Sequence, residues 1–247
     1  MPRLHLLAAA TALALAACSQ APNNGSNAAP AASGTAPAKA STTAAAEAQV
    51  NNPFFTASTL PYQAPPFDKI KDSDYQPAIE EGMRQQQEEV DKIANNPEPP
   101  TFENTYVALE KSGVLLNRVM AVFNAVTGAN TNDTLQKVQE EEAPKLAAHA
   151  DAIHLNGKLF QRIQAVYDQR DSLKLDPESK RLIDVAYRQF VMAGAKLSDA
   201  DKAKLKDYNK EAAGLQAQYN NKLLAAAKAG ALVVSDKSKL AGLSNED

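Results

Sequence analysis

Tryptophan is absent from the 247 residues, cysteine occurs once and histidine three times. A lone Cys18 cannot close an intramolecular disulfide, so the chain is not a small disulfide-stapled scaffold. An excess of positive charge is also missing. The 26 Lys and Arg against 29 Asp and Glu leave a formal charge of −3. The two signs are interspersed rather than clustered, which argues against a nucleic-acid partner. No G-x-S-x-G elbow, phosphate-binding P-loop or H-E-x-x-H pair occurs. The remainder, 44% hydrophobic and 22% charged, is ordinary for a globular domain, but the average conceals regions of different character.

The first region, residues 1–17, has the build of an export signal. Arg3 supplies a basic start, residues 4–16 are apolar apart from His5 and Thr11, and small residues precede Cys18. The apolar run is short for a bilayer core of ~30 Å. Leu15-Ala16-Ala17-Cys18 resembles the lipobox of bacterial lipoproteins, in which the cysteine is acylated and becomes the first mature residue. The alternative is an ordinary cleavage site with Cys18 incidental, which leaves an exported free thiol exposed to oxidation. Ser19 after the cysteine points, by the family rule, to the outer membrane. Residues 18–50 are then the lipidated cysteine and a disordered tether. They are almost wholly Ala, Ser, Thr, Pro, Asn and Gly, too poor in large apolar side chains to offset the entropy of ordering. A flexible chain of this length spans about 30 Å.

From residue 51 onward the pattern is helical, and the expected fold class is all-α. A helix opens at Ser73-Asp74, with Pro77 near its first turn, and runs to about Asn95, where "NNPEPP" stops it. A second is expected from Asn104 to Thr127, with a broad apolar stripe of Leu109, Leu116, Met120 and Phe123 flanked by Val119, Val122 and Val126. A third covers Thr131 to Ile153 with Pro144 in its interior, where a kink is expected. A fourth covers Gly157 to Leu173. A fifth starts from Asp176-Pro177-Glu178 and runs to Ala193. The sixth begins at a Ser198 cap. Leu205, Tyr208, Ala212, Leu215, Tyr219, Leu223 and Ala226 recur along it at steps of three and four until Gly230. "ALVVSD" beyond it is a strand or an extended connector. Ser244 and Asp247 have capping-box spacing, which predicts a further helix and a truncated chain.

Groups able to carry chemistry are sparse. His149 and His154 are five residues apart, which on a helix turns them about 140° from each other, so they do not form a chelating pair. The run Glu140-Glu141-Glu142 reads as a solvated helix face. Gly128 and Gly194 read as helix C-caps or close-packing positions. No catalytic or metal-ligating residue is assigned, and the one modification site is Cys18.

Five segments together carry a resemblance: "NPFFTASTLPYQAPPFDKIKDSDYQPAIEEGM", "FENTYVALEKSG", "AHADAIHLNGKLFQRI", "RQFVMAGAKLSDADKAKLK" and "NNKLLAAAKAGALVV". In this order they resemble the N-terminal half of the thimet-oligopeptidase-like zinc metallopeptidases, and most of all their bacterial peptidyl-dipeptidase branch. The resemblance implies that residues 51–247 are the N-terminal lobe of a two-lobed helical enzyme with a deep channel. Such an enzyme releases dipeptides from the C-termini of short unstructured peptides. It also implies a catalytic Zn²⁺ held by an H-E-x-x-H helix and a following Glu, none of which matches a position here. Two other readings stand beside it: an endo-acting oligopeptidase of the same family, and a non-catalytic helical lipoprotein that binds a partner. With the export signal, the expected location is periplasmic and lipid-anchored.

Overall fold

Side-chain caps fix most of the helix starts in the computed structural model, which describes residues 51–242. Helix α1 spans Asp72–Ala94, and the Lys71 N–H donates to Asp74 Oδ2 at its entry (2.8 Å). A π-helical turn, Phe102–Val107, runs into the single turn α2, Ala108–Glu110. Helices α3 (Val114–Ala129), α4 (Asp133–His154), α5 (Gly157–Gln169), α6 (Pro177–Met192) and α7 (Asp199–Ala229) follow. Asn132, Asn156, Asp176 and Ser198 each accept a hydrogen bond from the backbone N–H three residues on. Each such cap stabilises its helix by about 1 kcal/mol. No strand is found among the described residues, and "ALVVSD" is an extended connector with Leu232 and Val233 exposed. The export signal, Cys18, the tether and the Ser244–Asp247 pair lie outside the described residues.

One expected helix is two. The stretch from Asn104 to Thr127 breaks at Lys111-Ser112-Gly113, because Gly113 takes a left-handed conformation (φ +73°) with the Gln86 side chain filling the space beside it. Its N–H donates to Glu89 Oε2 at 2.8 Å, so the break is held from α1. A side chain at position 113 meets both the φ penalty and Gln86.

Two apolar clusters form the core, and α1 belongs to both. Its N-terminal half gives Tyr75, Ala78 and Ile79 to a cluster with Phe54, Leu116, Val119, Phe123, Leu135 and Val138. Its C-terminal half gives Val90, Ile93 and Ala94 to a cluster with Tyr106, Leu159, Ile163, Val166, Ile183 and Phe190. Helix α4 repeats the arrangement, with Leu135 in one cluster and Ile153 in the other. A 23-residue helix is about 35 Å long, enough to link two cores as a common spine. In the second cluster the buried Tyr106 hydroxyl donates to the Ile163 carbonyl (3.0 Å), and burial pushes its pKa upward.

Helix α7 departs from its sequence pattern. None of its 31 residues is buried. It lies along α4 through Asn209, Ala213, Ala217 and Asn221, while Tyr208, Leu215, Tyr219 and Leu223 of the expected stripe are 55–66% exposed. Asn209 Nδ2 donates to Asp151 Oδ1 (2.8 Å), and Asn221 Nδ2 to Glu140 Oε1 (2.9 Å). Small and polar side chains thus hold the helix, and most of its large apolar residues face outward.

Candidate functional site

The two histidines sit on α4 and turn to different neighbours. His149 Nε2 is 2.8 Å from Gln86 Oε1 on α1, whereas His154 Nδ1 bonds to the Ala150 carbonyl (2.9 Å) and its ring packs against Phe190. Burial depresses the pKa of His149 below its ordinary 6.5, so the fold favours the neutral ring. The unfolded chain takes up this proton first as the pH falls. The stabilisation is therefore complete above pH 6.5 and is lost below it, until the folded ring also protonates. Wild-type stability should fall more between pH 7.5 and 5.5 than that of His149→Gln, measured as urea midpoints. Equal slopes for the two proteins would contradict this.

The acidic run on α4 is not uniformly solvated. Glu140 and Glu141 are exposed, but Glu142 is fully buried. A rotation of 100° per residue carries Glu142 onto the face toward α1. There its Oε1 accepts from Gln76 Nε2 (2.9 Å) and Lys145 Nζ (2.9 Å). Lys145 also reaches Glu80, and these two carboxylates raise its pKa, Glu80 first. Lys145 is a local i,i+3 partner of Glu142, whereas Gln76 lies 66 residues away.

A second polar centre holds the loop between α1 and the π turn. Arg162 on α5 is 7% exposed, and its Nη1 donates to the Asn96 and Glu98 carbonyls (2.8 and 2.9 Å). Its Nη2 donates to Asn104 Oδ1 (2.9 Å). The sequence reading missed this residue because all its partners are at least 58 residues away.

The glycines divide. Gly194 (φ +99°) follows the end of α6 as a left-handed cap, with the Ala195 N–H donating to the Phe190 carbonyl (3.0 Å), as expected. Gly128 is neither cap nor close contact. It lies inside α3 with open space where a side chain would stand. It borders a concavity of about 930 Å³ together with Asp72, Asn132 and Lys228.

Among the described residues no group of three or more His, Cys, Asp or Glu is placed to hold a metal ion. His149 and His154 turn to different partners, so these residues do not fit the zinc that the resemblance implies.

No family model matches the chain. Over 196 residues, 79% of its length, it is 54% identical to the dipeptidyl carboxypeptidase of Escherichia coli K12, and to the same degree to that of Salmonella typhimurium LT2. Over this stretch the chain is similar to the two dipeptidyl carboxypeptidases. Oligopeptidase A of E. coli K12 is a more distant relative, 23% identical over 194 residues, 78% of this chain and 28% of that protein. The chain spans 29% of the length of the two dipeptidyl carboxypeptidases.

Proposed function

We propose that residues 51–247 are the N-terminal helical lobe of a zinc metallopeptidase that releases dipeptides from the C-termini of oligopeptides. In the intact enzyme this lobe walls a channel that admits short unstructured peptides and excludes folded ones. The supporting observation is the contrast in identity, 54% to the dipeptidyl carboxypeptidases against 23% to oligopeptidase A over nearly the same length. That contrast favours the dipeptide-releasing reading over the endo-acting one. The zinc and its ligands are assigned to a lobe that follows in the gene. Reading the frame past codon 247 tests this: an H-E-x-x-H codon run in frame is expected, and a stop with no such run in the gene would overturn the reading.

The proposal includes an address. Residues 1–17 act as an export signal, Cys18 is acylated, and residues 18–50 tether the helical body to a membrane, taken to be the outer one. Stable attachment takes more than one acyl chain, at about 0.8 kcal/mol per buried CH₂. Cys18→Ala should abolish lipid labelling and either release the protein into the periplasm or leave an uncleaved precursor. A wild-type protein that is soluble, with no acyl mass on its N-terminal peptide, would return Cys18 to an incidental residue.

A further inference from the structure

Between the loop that precedes α1 and the start of α3 lies a hollow of about 330 Å³, lined by Ala57, Ser58, Gln63, Val114, Asn117 and Arg118. Arg118 is half-buried there, and its Nη1 donates to the Phe54 carbonyl (2.7 Å). That bond fixes one arm of the guanidinium. Its Nε and Nη2 have no partner among the described residues and stay open to solvent. The N–H groups on this edge run parallel and match the two oxygens of a carboxylate. The side-chain amides of Asn117 and Gln63 are exposed beside it and add further N–H donors. Arg118 is the one charged residue lining this hollow, and the one charged residue lining a smaller hollow of about 30 Å³ that it also borders. No carboxylate of either lining neutralises it.

The backbone gives an independent sign. Tyr62 and Gln63 both take left-handed conformations (φ +58° and +56°), which are unfavourable for residues that carry a Cβ. Tyr62 is fully exposed, so burial of its side chain does not offset the strain. Local bonds hold the pair in place: the Gln63 N–H donates to the Leu60 carbonyl (2.9 Å), the Ala64 N–H to the Pro61 carbonyl (3.1 Å) and Ser58 Oγ to the Ala64 carbonyl (2.6 Å). The outcome is that Gln63 stands on the wall of the Arg118 hollow. Strained backbone of this kind collects at ligand clamps. We infer that Arg118, with Gln63 and Asn117, binds a carboxylate group, the chemistry shared by the C-terminus of a peptide and an Asp or Glu side chain. One guanidinium balances a monoanion, whereas a phosphate dianion would keep a charge without a partner. A half-exposed ion pair is weak, so the dissociation constant is expected on the order of 10 mM. The site is independent of the peptidase reading, since it uses no residue assigned there.

The test titrates the full chain with Nα-acetylalanine, which carries an α-carboxylate, and separately with Nα-acetylglutamate α-N-methylamide, which carries only a side-chain carboxylate. The methyl resonances of Ala57 and Val114 report the site. Saturable shifts are expected with at least one of the two, and the tighter binder identifies the peptide C-terminus or the acidic side chain as the source. Nα-acetylalanine amide, the uncharged counterpart, should bind at least tenfold more weakly. Arg118→Lys, which keeps the charge but loses the fork, should weaken the carboxylate severalfold. Because that substitution also disturbs the bond to Phe54, Gln63→Gly provides the second variant. Glycine accepts the left-handed conformation, so the urea midpoint should not fall, while removal of the side chain should weaken binding severalfold. A purely structural role for Gln63 would leave binding unchanged. Absence of saturable shifts with both carboxylates, the amide binding as tightly as the acid, unchanged binding in Gln63→Gly, or inorganic phosphate at pH 8 binding more tightly than either carboxylate would each overturn the assignment.

Discussion

Gly82→Ala should lower the urea midpoint of unfolding with an unchanged slope, and Gly82→Leu should leave little folded protein. Gly82 is buried in the middle of α1 where α3 crosses it. A methyl group there would stand 2.8 Å from the Leu116 Cα and 2.9 Å from its backbone nitrogen. Both are main-chain atoms, so no rotamer change relieves the clash and the two helices must move apart. Alanine gains about 1 kcal/mol in helix propensity over glycine. Overpacking a well-filled core costs typically 1–3 kcal/mol. The contact is with rigid backbone at the centre of the first cluster, so the upper part of that range applies and the loss exceeds the gain. The larger leucine spreads α1 and α3 further, and because α1 also supports the second cluster, the damage is shared by both. A Gly82→Ala protein as stable as wild type would show that α1 and α3 are not in close contact.

The second large effect is on association. With Tyr208, Leu215, Tyr219 and Leu223 exposed along one side of α7, the 247-residue chain should bind apolar dyes and self-associate. Replacing Leu215, Tyr219 and Leu223 together by Gln should cut dye fluorescence severalfold and shift the chain toward monomer in sedimentation. Stability should change little, since exposed substitutions away from caps and cores usually stay within about 0.5 kcal/mol each. Loss of helix content in the triple variant, or a wild-type chain that is a dye-silent monomer, would show that this face is already covered.

The same helix shows where sequence reading stops. Its start at Ser198 and end at Gly230 were legible because a cap is chemistry between near neighbours. Asp176-Pro177 placed α6 within a residue for the same reason. Which side of α7 packs was not legible. Periodicity marks an apolar face but not its partner, and α4 took the Asn and Ala side instead. The break at Gly113 was hidden because helical and left-handed glycine look alike in sequence, and Glu89 and Gln86, which hold it, lie in another helix. Glu142 was concealed in a run of three identical residues, and only the fold decides which of them turns inward. The resemblance carried the family more securely than any local pattern, since it used five ordered segments at once. It gave no catalytic residue, because none of the family's zinc-binding motif matches a position in this sequence.

The central claim, that this chain is part of a dipeptide-releasing peptidase, is tested most directly by mass spectrometry of products. The protein encoded by the gene's complete open frame is incubated with zinc, an unstructured oligopeptide and the C-terminal amide of the same peptide. Stepwise loss of dipeptides from the free C-terminus, with the amide cleaved far more slowly, is the expected result. Internal cleavage that ignores the C-terminus, or no hydrolysis of either peptide, would contradict it.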